Sequence, residues 1–228
     1  MKYSSIRAAS FLRRPNRFLA QVLLDNREEL VHVKTTGRCR EILQEKAAVI
    51  LEESNNSERK TKYSLIAVYK GGMLINIDSQ IPNAVVYEGI KDGKVNEIPG
   101  VVKLDREVVY GNSRFDLYFE SKEQKGFVEI KGVTLETGGV AMFPDAPTGR
   151  GTRHVYEMIR AVEEGYVGLV FFLIQMKGVK YFTTHALQDP EFAAALQIAA
   201  QKGVRILAYD SLVCEDQIII GSPVEVRI

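Results

Sequence analysis

Asp116 stands thirteen positions before Glu129-Ile130-Lys131, and an acidic residue followed by Glu-x-Lys on a neighbouring strand can hold a divalent cation beside an ammonium group. Ser113 to Glu120 alternates, which predicts a strand with Phe115, Leu117 and Phe119 on one face and Asp116, Tyr118 and Glu120 on the other. Gly126 to Val133 alternates too, with Glu129 and Lys131 on one side and Val128 and Ile130 on the other. A hairpin centred on Lys122-Glu123 then sets Asp116 directly opposite Glu129, their Cβ atoms about 5 Å apart. Carboxylates that close repel unless a positive charge sits between them, and a hard cation with oxygen ligands suits the gap. Lys131 would aim its ammonium at the same spot. The same three residues also suit a solvated strand face with ion pairs and no metal.

The elements around the hairpin must position these groups. Pro82 to Ile90 predicts a short helix and Val101 to Tyr110 a first strand. After the acidic hairpin, a helix is expected from about Gly151 to Gly165, with Val155, Ile159 and Val162 on its inward stripe. Val167 to Ile174 is uniformly apolar and predicts a buried strand. Asp189-Pro190 opens a further helix that ends near Gly203, and Val204 to Ala208 predicts a strand. Helix, three strands, helix, strand is the order of the PD-(D/E)xK nuclease core, which this stretch resembles. That resemblance adds the Ile130 backbone carbonyl to Asp116 and Glu129 as a ligand for Mg²⁺ or Mn²⁺, with Lys131 positioning or deprotonating water. Glu88, His154, Arg153 and Gln175 are further candidates for the site's surroundings, each also readable as ordinary surface or packing. Asp145, on a Gly/Pro-rich connection, is either a turn former or part of a segment over the substrate.

More closely, the whole chain resembles the sugar fermentation stimulation protein A (SfsA) family, whose members are described as DNA-binding. The matching segments are Asn16-Arg17-Phe18-Leu19-Ala20, Thr36-Gly37-Arg38, Ile81-Pro82-Asn83, Ser113-Arg114-Phe115-Asp116, Val128 to Leu135, Phe143-Pro144-Asp145-Ala146 and Arg150-Gly151-Thr152-Arg153-His154, all in family order. The resemblance implies an α+β chain: an OB-like β-barrel over residues 1–80, then a nuclease-like α/β domain over residues 81–228.

The first eighty residues read independently as strand after strand: Phe18 to Leu24, Glu29 to Lys34, Ala47 to Glu52, Tyr63 to Tyr69 and Met73 to Ile77, with a short helical candidate at Cys39 to Glu45. Five strands and one small helix match the inventory of an OB barrel, a fold that binds oligonucleotides but also serves as a docking platform. Residues 1–80 hold 14 Lys and Arg against 9 Asp and Glu, whereas residues 81–228 hold 16 against 20. The basic half suits phosphate contacts, with Arg38, the loop cations Arg59, Lys60 and Lys62, and Arg153 of the second half as candidates.

Net charge is only +1, so composition alone does not advertise nucleic-acid binding. Cys39 and Cys214 lie far apart without a CxxC, a reduced, cytoplasmic pattern, and His32, His154 and His185 lack zinc spacing. Phe18 to Leu24 is too short for a signal or spanning helix, so no membrane is expected. The expected partner is nucleic acid, DNA in particular, with a homodimer left open. Three functions stand: a DNA-binding protein, connected to sugar metabolism by the family name, that retains a metal site; an active Mg²⁺- or Mn²⁺-dependent nuclease; and a protein-interaction module without nucleic-acid affinity.

Overall fold

A computed structural model describes every residue of the chain except Thr36, Ser57 and Asn112, so Thr36 of the Thr-Gly-Arg motif and Ser57 of the Ser54–Lys62 loop lie outside the described residues. The chain opens with β1 (Ile6–Asn16), β2 (Leu19–Leu24), β3 (Arg27–Val33), β4 (Ala48–Glu53), β5 (Tyr63–Lys70) and β6 (Met73–Asn76). The sheet runs β3-β2-β1-β4-β5-β6, and β3 also pairs with β5 through His32↔Ser64 and Val33↔Leu65, which closes β1 to β5 into a barrel. Asp25 and Asn26 turn β2 into β3 with φ of 50° and 62°, left-handed values that short polar side chains tolerate and that match strand twist in a two-residue hairpin.

The barrel's composition differs from the sequence reading in two places. The fifth barrel strand is β1, not the Met73–Ile77 run, which forms β6 as an extension alongside β5. β1 escapes a periodicity search because its pairing with β2 shifts register between Phe11 and Arg13 and again before Asn16, so apolar residues do not recur every second position. Cys39 to Glu45 is not a helix but a series of turns. Cys39, Ile42 and Leu43 are buried at helical spacing, yet Cys39 itself has φ of 48°, and its carbonyl accepts from both Ile42 and Leu43 amides in a turn too short to propagate.

The second half comprises α1 (Pro82–Lys91), β7 (Val101–Tyr110), β8 (Ser113–Ser121), β9 (Lys125–Val133), β10 (Leu135–Thr137), β11 (Val140–Phe143), α2 (Gly149–Glu163), β12 (Val167–Ile174), β13 (Tyr181–Thr184), α3 (Pro190–Gln201), β14 (Arg205–Cys214), β15 (Gln217–Pro223) and β16 (Val226–Arg227). Its main sheet has the order β15-β14-β12-β9-β8-β7; β9, β12 and β14 are parallel, and α2 and α3 form the crossovers. β12 is central and apolar throughout because both its faces are covered. Val170, Phe172 and Ile174 lie in one buried cluster with Val155 and Ile159 of α2 and Leu196 of α3, while Leu169, Phe171 and Leu173 lie in another with Val85, Val86 and Ile90 of α1. The architecture is therefore the expected one, an OB-like barrel followed by an α/β domain in which the helix, three strands, helix and buried strand come in the expected order. An unforeseen small sheet, β10-β11-β13-β16, is built from strands of two to four residues, too short for alternation to show.

Polar ties join barrel and sheet. Asn76, on β6, accepts from Gln175 Nε2 at 2.9 Å and donates to the Tyr3 hydroxyl at 2.8 Å, and all three residues are buried. Lys70 of β5 reaches Glu136 of β10, with Nζ 2.6 Å from Oε2. Burial pushes the Glu136 carboxyl up, but Lys70 and the Gly139 amide outweigh that and hold it below its usual value. A depressed carboxyl stabilises the fold above its unfolded pKa and loses that contribution as pH falls through the folded one. Lys70→Met should therefore cost about 1–2 kcal/mol in chemical denaturation at pH 7. The difference from wild type should shrink once the pH is below about 4; a pH-independent difference would show that lost packing, not charge, was the cause.

Candidate functional site

β8 and β9 pair as the hairpin centre predicts, with Leu117↔Val128, Tyr118↔Phe127 and Phe119↔Gly126. The ladder ends there, at the point where Asp116 would meet Glu129. Beyond it the strict alternation expected for β8 fails: Leu117 and Phe119 share the α1-side cluster with Val128 and Ile130, whereas Phe115 lies in the other cluster, its ring 5.1 Å from Phe127 and 6.4 Å from His154 of α2. The strand switches faces at Asp116, whose Oδ2 accepts the Ile130 amide at 2.7 Å. A side-chain carboxylate thus satisfies an amide that a regular ladder would have given to a main-chain carbonyl. Oδ1 accepts from Asn83 Nδ2 of α1 at 2.7 Å. Pro82 starts that helix without needing an amide partner and places Asn83 in its first turn.

Glu129 is 3% exposed. Its Oε1 accepts from Lys131 Nζ at 2.6 Å and lies 2.6 Å from His154 Nδ1; a carboxylate can only accept, so that ring nitrogen carries the hydrogen. Its Oε2 is buried with no partner. Burial pushes the Glu129 carboxyl up, but His154 and Lys131 outweigh it and leave it below its ordinary value. Asp116 goes the other way, raised first by burial and then by the charge of Glu129, against the pull of the Ile130 amide, Lys131 and Asn83. Two neighbouring acids pushed in opposite directions form a single electrostatic unit. Among the described residues no three His, Cys, Asp or Glu side chains converge as a ready metal cluster. The donors brought together are two carboxylates, one with a free buried oxygen; the Ile130 carbonyl is the further donor that the resemblance implies. Oxygen donors of that kind fit a hard divalent cation.

The other candidates are distributed differently. Gln175 is turned away from the chemistry: its amide nitrogen serves Asn76 and the Asp78 carbonyl, and its Oε1 packs so closely on Gly132 that an added Cβ would lie 2.5 Å from it. Glu88 pairs with the Met1 amino group at 2.7 Å and is not gathered with the triad. Arg153 is exposed on α2 beside buried His154. In the polar loop, Arg59 donates to Ser64 at 3.1 Å and Lys62 pairs with Glu53 at 2.9 Å, so of the three loop cations Lys60 alone is exposed without a described partner. Arg38 lines a recess of about 410 Å³ with Arg14, Arg17 and Arg40, residues the sequence reading passed over. Asn83 was likewise missed as a positioning group, although it stands in the Ile81-Pro82-Asn83 segment. Asp145 packs against Gly37 of the barrel, where an added Cβ would meet its Oδ2 at 2.5 Å.

Residues 80–217 match the family model described as "Sugar fermentation stimulation protein RE domain", and residues 12–77 the one described as "SfsA N-terminal OB domain". The chain belongs to the sugar fermentation stimulation protein family. The SfsA relatives include sugar fermentation stimulation protein homologs of Alkaliphilus oremlandii, 54% identical over 231 residues (99% of this chain and 98% of the relative), and of Clostridium botulinum, 50% identical over 227 residues (98% of each). Among solved structures, Pyrococcus furiosus SfsA in complex with Ca²⁺ superposes with a TM-score of 0.91 at 29% identity, covering 100% of this chain and 98% of that one. Among the described residues no helix is long and apolar enough to cross a membrane.

Because Asp116 ionises only against burial and a neighbouring charge, its negative form costs stability in the absence of a cation. A raised carboxyl contributes stability below its unfolded pKa and loses it as pH rises through the folded one. Asp116→Asn keeps an oxygen for the Ile130 amide and, with an Asn83 flip, both hydrogen bonds. In metal-free buffer it should melt as high as wild type or higher at pH 7, the advantage vanishing toward pH 4, about the ordinary carboxylate value. A large loss of melting temperature at pH 7 in chelator would mean that Asp116 is a purely structural group.

Proposed function

We propose that this protein binds DNA and that Asp116, Glu129 and the Ile130 carbonyl hold a divalent cation, Mg²⁺ or Mn²⁺, beside Lys131 for phosphodiester hydrolysis. The observation that carries the reading is the buried, unpartnered Oε2 of Glu129 next to a second carboxylate held at its own raised pKa. Lys131 and His154 meet only the other oxygen of Glu129, and a buried carboxylate oxygen without a partner is costly, so a cation at Oε2 would complete the site. That the related Pyrococcus furiosus SfsA was solved with Ca²⁺, another hard oxygen-seeking ion, supports the choice of metal class.

When bound, a cation of this class polarises phosphoryl oxygens and acidifies water. The chain's own groups do the rest. Asn83 and the Ile130 amide fix the Asp116 carboxylate, and His154 and Lys131 fix that of Glu129 through one oxygen, leaving the other available. Lys131 has its ammonium on Glu129 Oε1 at the edge of the buried site, 16% exposed, from where it can turn to an incoming phosphate and stabilise developing charge or orient water. A second reading is a DNA-binding protein that uses this core without cutting; its tie to sugar metabolism rests on the relatives' names alone.

Mn²⁺ should raise the wild-type melting temperature, and Asp116→Asn should lower metal affinity at least about tenfold in calorimetric titration. In a cleavage assay with Mg²⁺ or Mn²⁺, Lys131→Ala should reduce the rate by about a hundredfold or more while sparing most DNA affinity. Metal binding with no cleavage of any DNA form by wild type would favour the second reading, and absence of metal binding would leave the three residues as buried charge.

A further inference from the structure

The recess lined by Arg14, Asn16, Arg17, Gly37, Arg38, Arg40 and Leu43 lies where the β1–β2 turn meets the segment that follows β3. Its lining contains four guanidinium groups and no carboxylate. The arginine ion pairs among the described residues use Arg7, Arg114, Arg160 and Arg227, none of them from the recess. Arg14 is the fixed member. Its Nη1 donates to the Gly37 and Arg38 carbonyls at 2.7 and 2.8 Å, and its Nη2 to the Arg17 and Thr35 carbonyls at 2.6 and 2.9 Å. One half-buried cation thus laces both rims together and spends its donors on neutral oxygens, so its charge still faces the recess.

The other three arginines are exposed. Arg17 sits over Phe18, with its guanidinium carbon 4.5 Å from the ring centroid, and Phe18 itself is 46% exposed. Exposed guanidinium groups without acidic partners match phosphate oxygens in forked geometry. A guanidinium laid on an aromatic ring makes a flat platform of the kind on which single-stranded bases stack. A concavity of about 410 Å³ has the size of a small-ligand pocket and suits a nucleotide, whereas the side of a duplex presents a broad convex surface. Asp145, an acid whose charge acts on Arg14, packs behind Gly37 and also borders a small cleft with Gly132, the residue after Lys131. Contiguous residues therefore connect the recess to the acidic triad.

We propose that this recess seats single-stranded nucleic acid, with a phosphodiester held by Arg17, Arg38 and Arg40 and an adjacent base stacked on the Arg17–Phe18 pair. The inference rests on the nucleic-acid reading of the protein and narrows it to unpaired strands at a named place.

The test is fluorescence anisotropy of the full chain with labelled oligothymidylate of about 15 nucleotides, long enough to span one barrel site, and with a duplex of equal length, across a salt series without divalent metal. Wild type should bind the single strand more tightly than the duplex. The triple variant Arg17→Ala, Arg38→Ala, Arg40→Ala should weaken single-strand binding more than tenfold and flatten its salt slope by roughly 0.7, the value for one lost phosphate contact. Phe18→Ala should weaken it about tenfold with the slope unchanged, since stacking releases no counterions. Arg14 is left in place, and an unchanged melting temperature checks that both variants are folded. Wild-type single-strand affinity and slope in the folded triple variant would overturn the proposal, as would a preference of wild type for the duplex. If in those cases the duplex is bound, and is cleaved once Mg²⁺ or Mn²⁺ is added, the nuclease reading survives without this one; if neither form is bound at any salt, both fall.

Discussion

A single hydrogen bond, from the Ile130 amide to the Asp116 carboxylate, sets the geometry on which the rest of the site depends. A regular ladder would have joined that amide to a carbonyl of β8 and kept Phe115 on the same face as Leu117. Because a side chain takes the main chain's place, β8 peels away from β9, Phe115 drops under α2, and an opening is left between two strands in the middle of a sheet. The opening is where acid is wanted. The two carboxyls part in acidity because His154 and Lys131 act on Glu129, whereas burial and the charge of Glu129 act on Asp116.

Each acid is held by an element from a different side of the sheet. α1 contributes Asn83 to Asp116, and α2 contributes His154 to Glu129. The helices therefore do more than cover apolar strands: their amphipathic packing brings one amide and one imidazole to the open ladder from opposite directions. Packing sets the register of α1 as well, since a Cβ at Gly89 would lie 2.8 Å from Ile220. Loss of the His154 contact would leave the buried Glu129 carboxylate held by Lys131 alone.

Much of this was legible in the chain and some was not, for physical reasons. The buried strand Val167–Ile174 coincides with β12, and the first strand coincides with β7, because long uniform or flanked runs carry an unambiguous period. The hairpin centre gave the correct pairing of Leu117 with Val128. Alternation then misled at Phe115, since a periodic rule assumes main-chain partners throughout and cannot foresee a carboxylate replacing one. Bulged β1 and the strands of the small sheet lacked a period altogether, and Cys39-Ile42-Leu43 imitated a helix because a compact plug and a helical stripe can share spacing. Gln175 and Glu88 looked like site residues by position along their elements, but long-range partners, Asn76 in one case and Met1 in the other, claim them. Such partners are 99 and 87 residues away and leave no local trace.

Gln175 presses on Gly132 from behind while its amide is held by Asn76, which in turn holds Tyr3 near the start of the chain. The backbone that carries Lys131 is therefore braced by the barrel. A first half borrowed from another protein would supply the apolar seal but not Asn76 and the Asp78 carbonyl, and β9 would lose its backstop at Gly132. A substitution at Asn76 should therefore be felt at Lys131, on an element more than fifty positions along the chain.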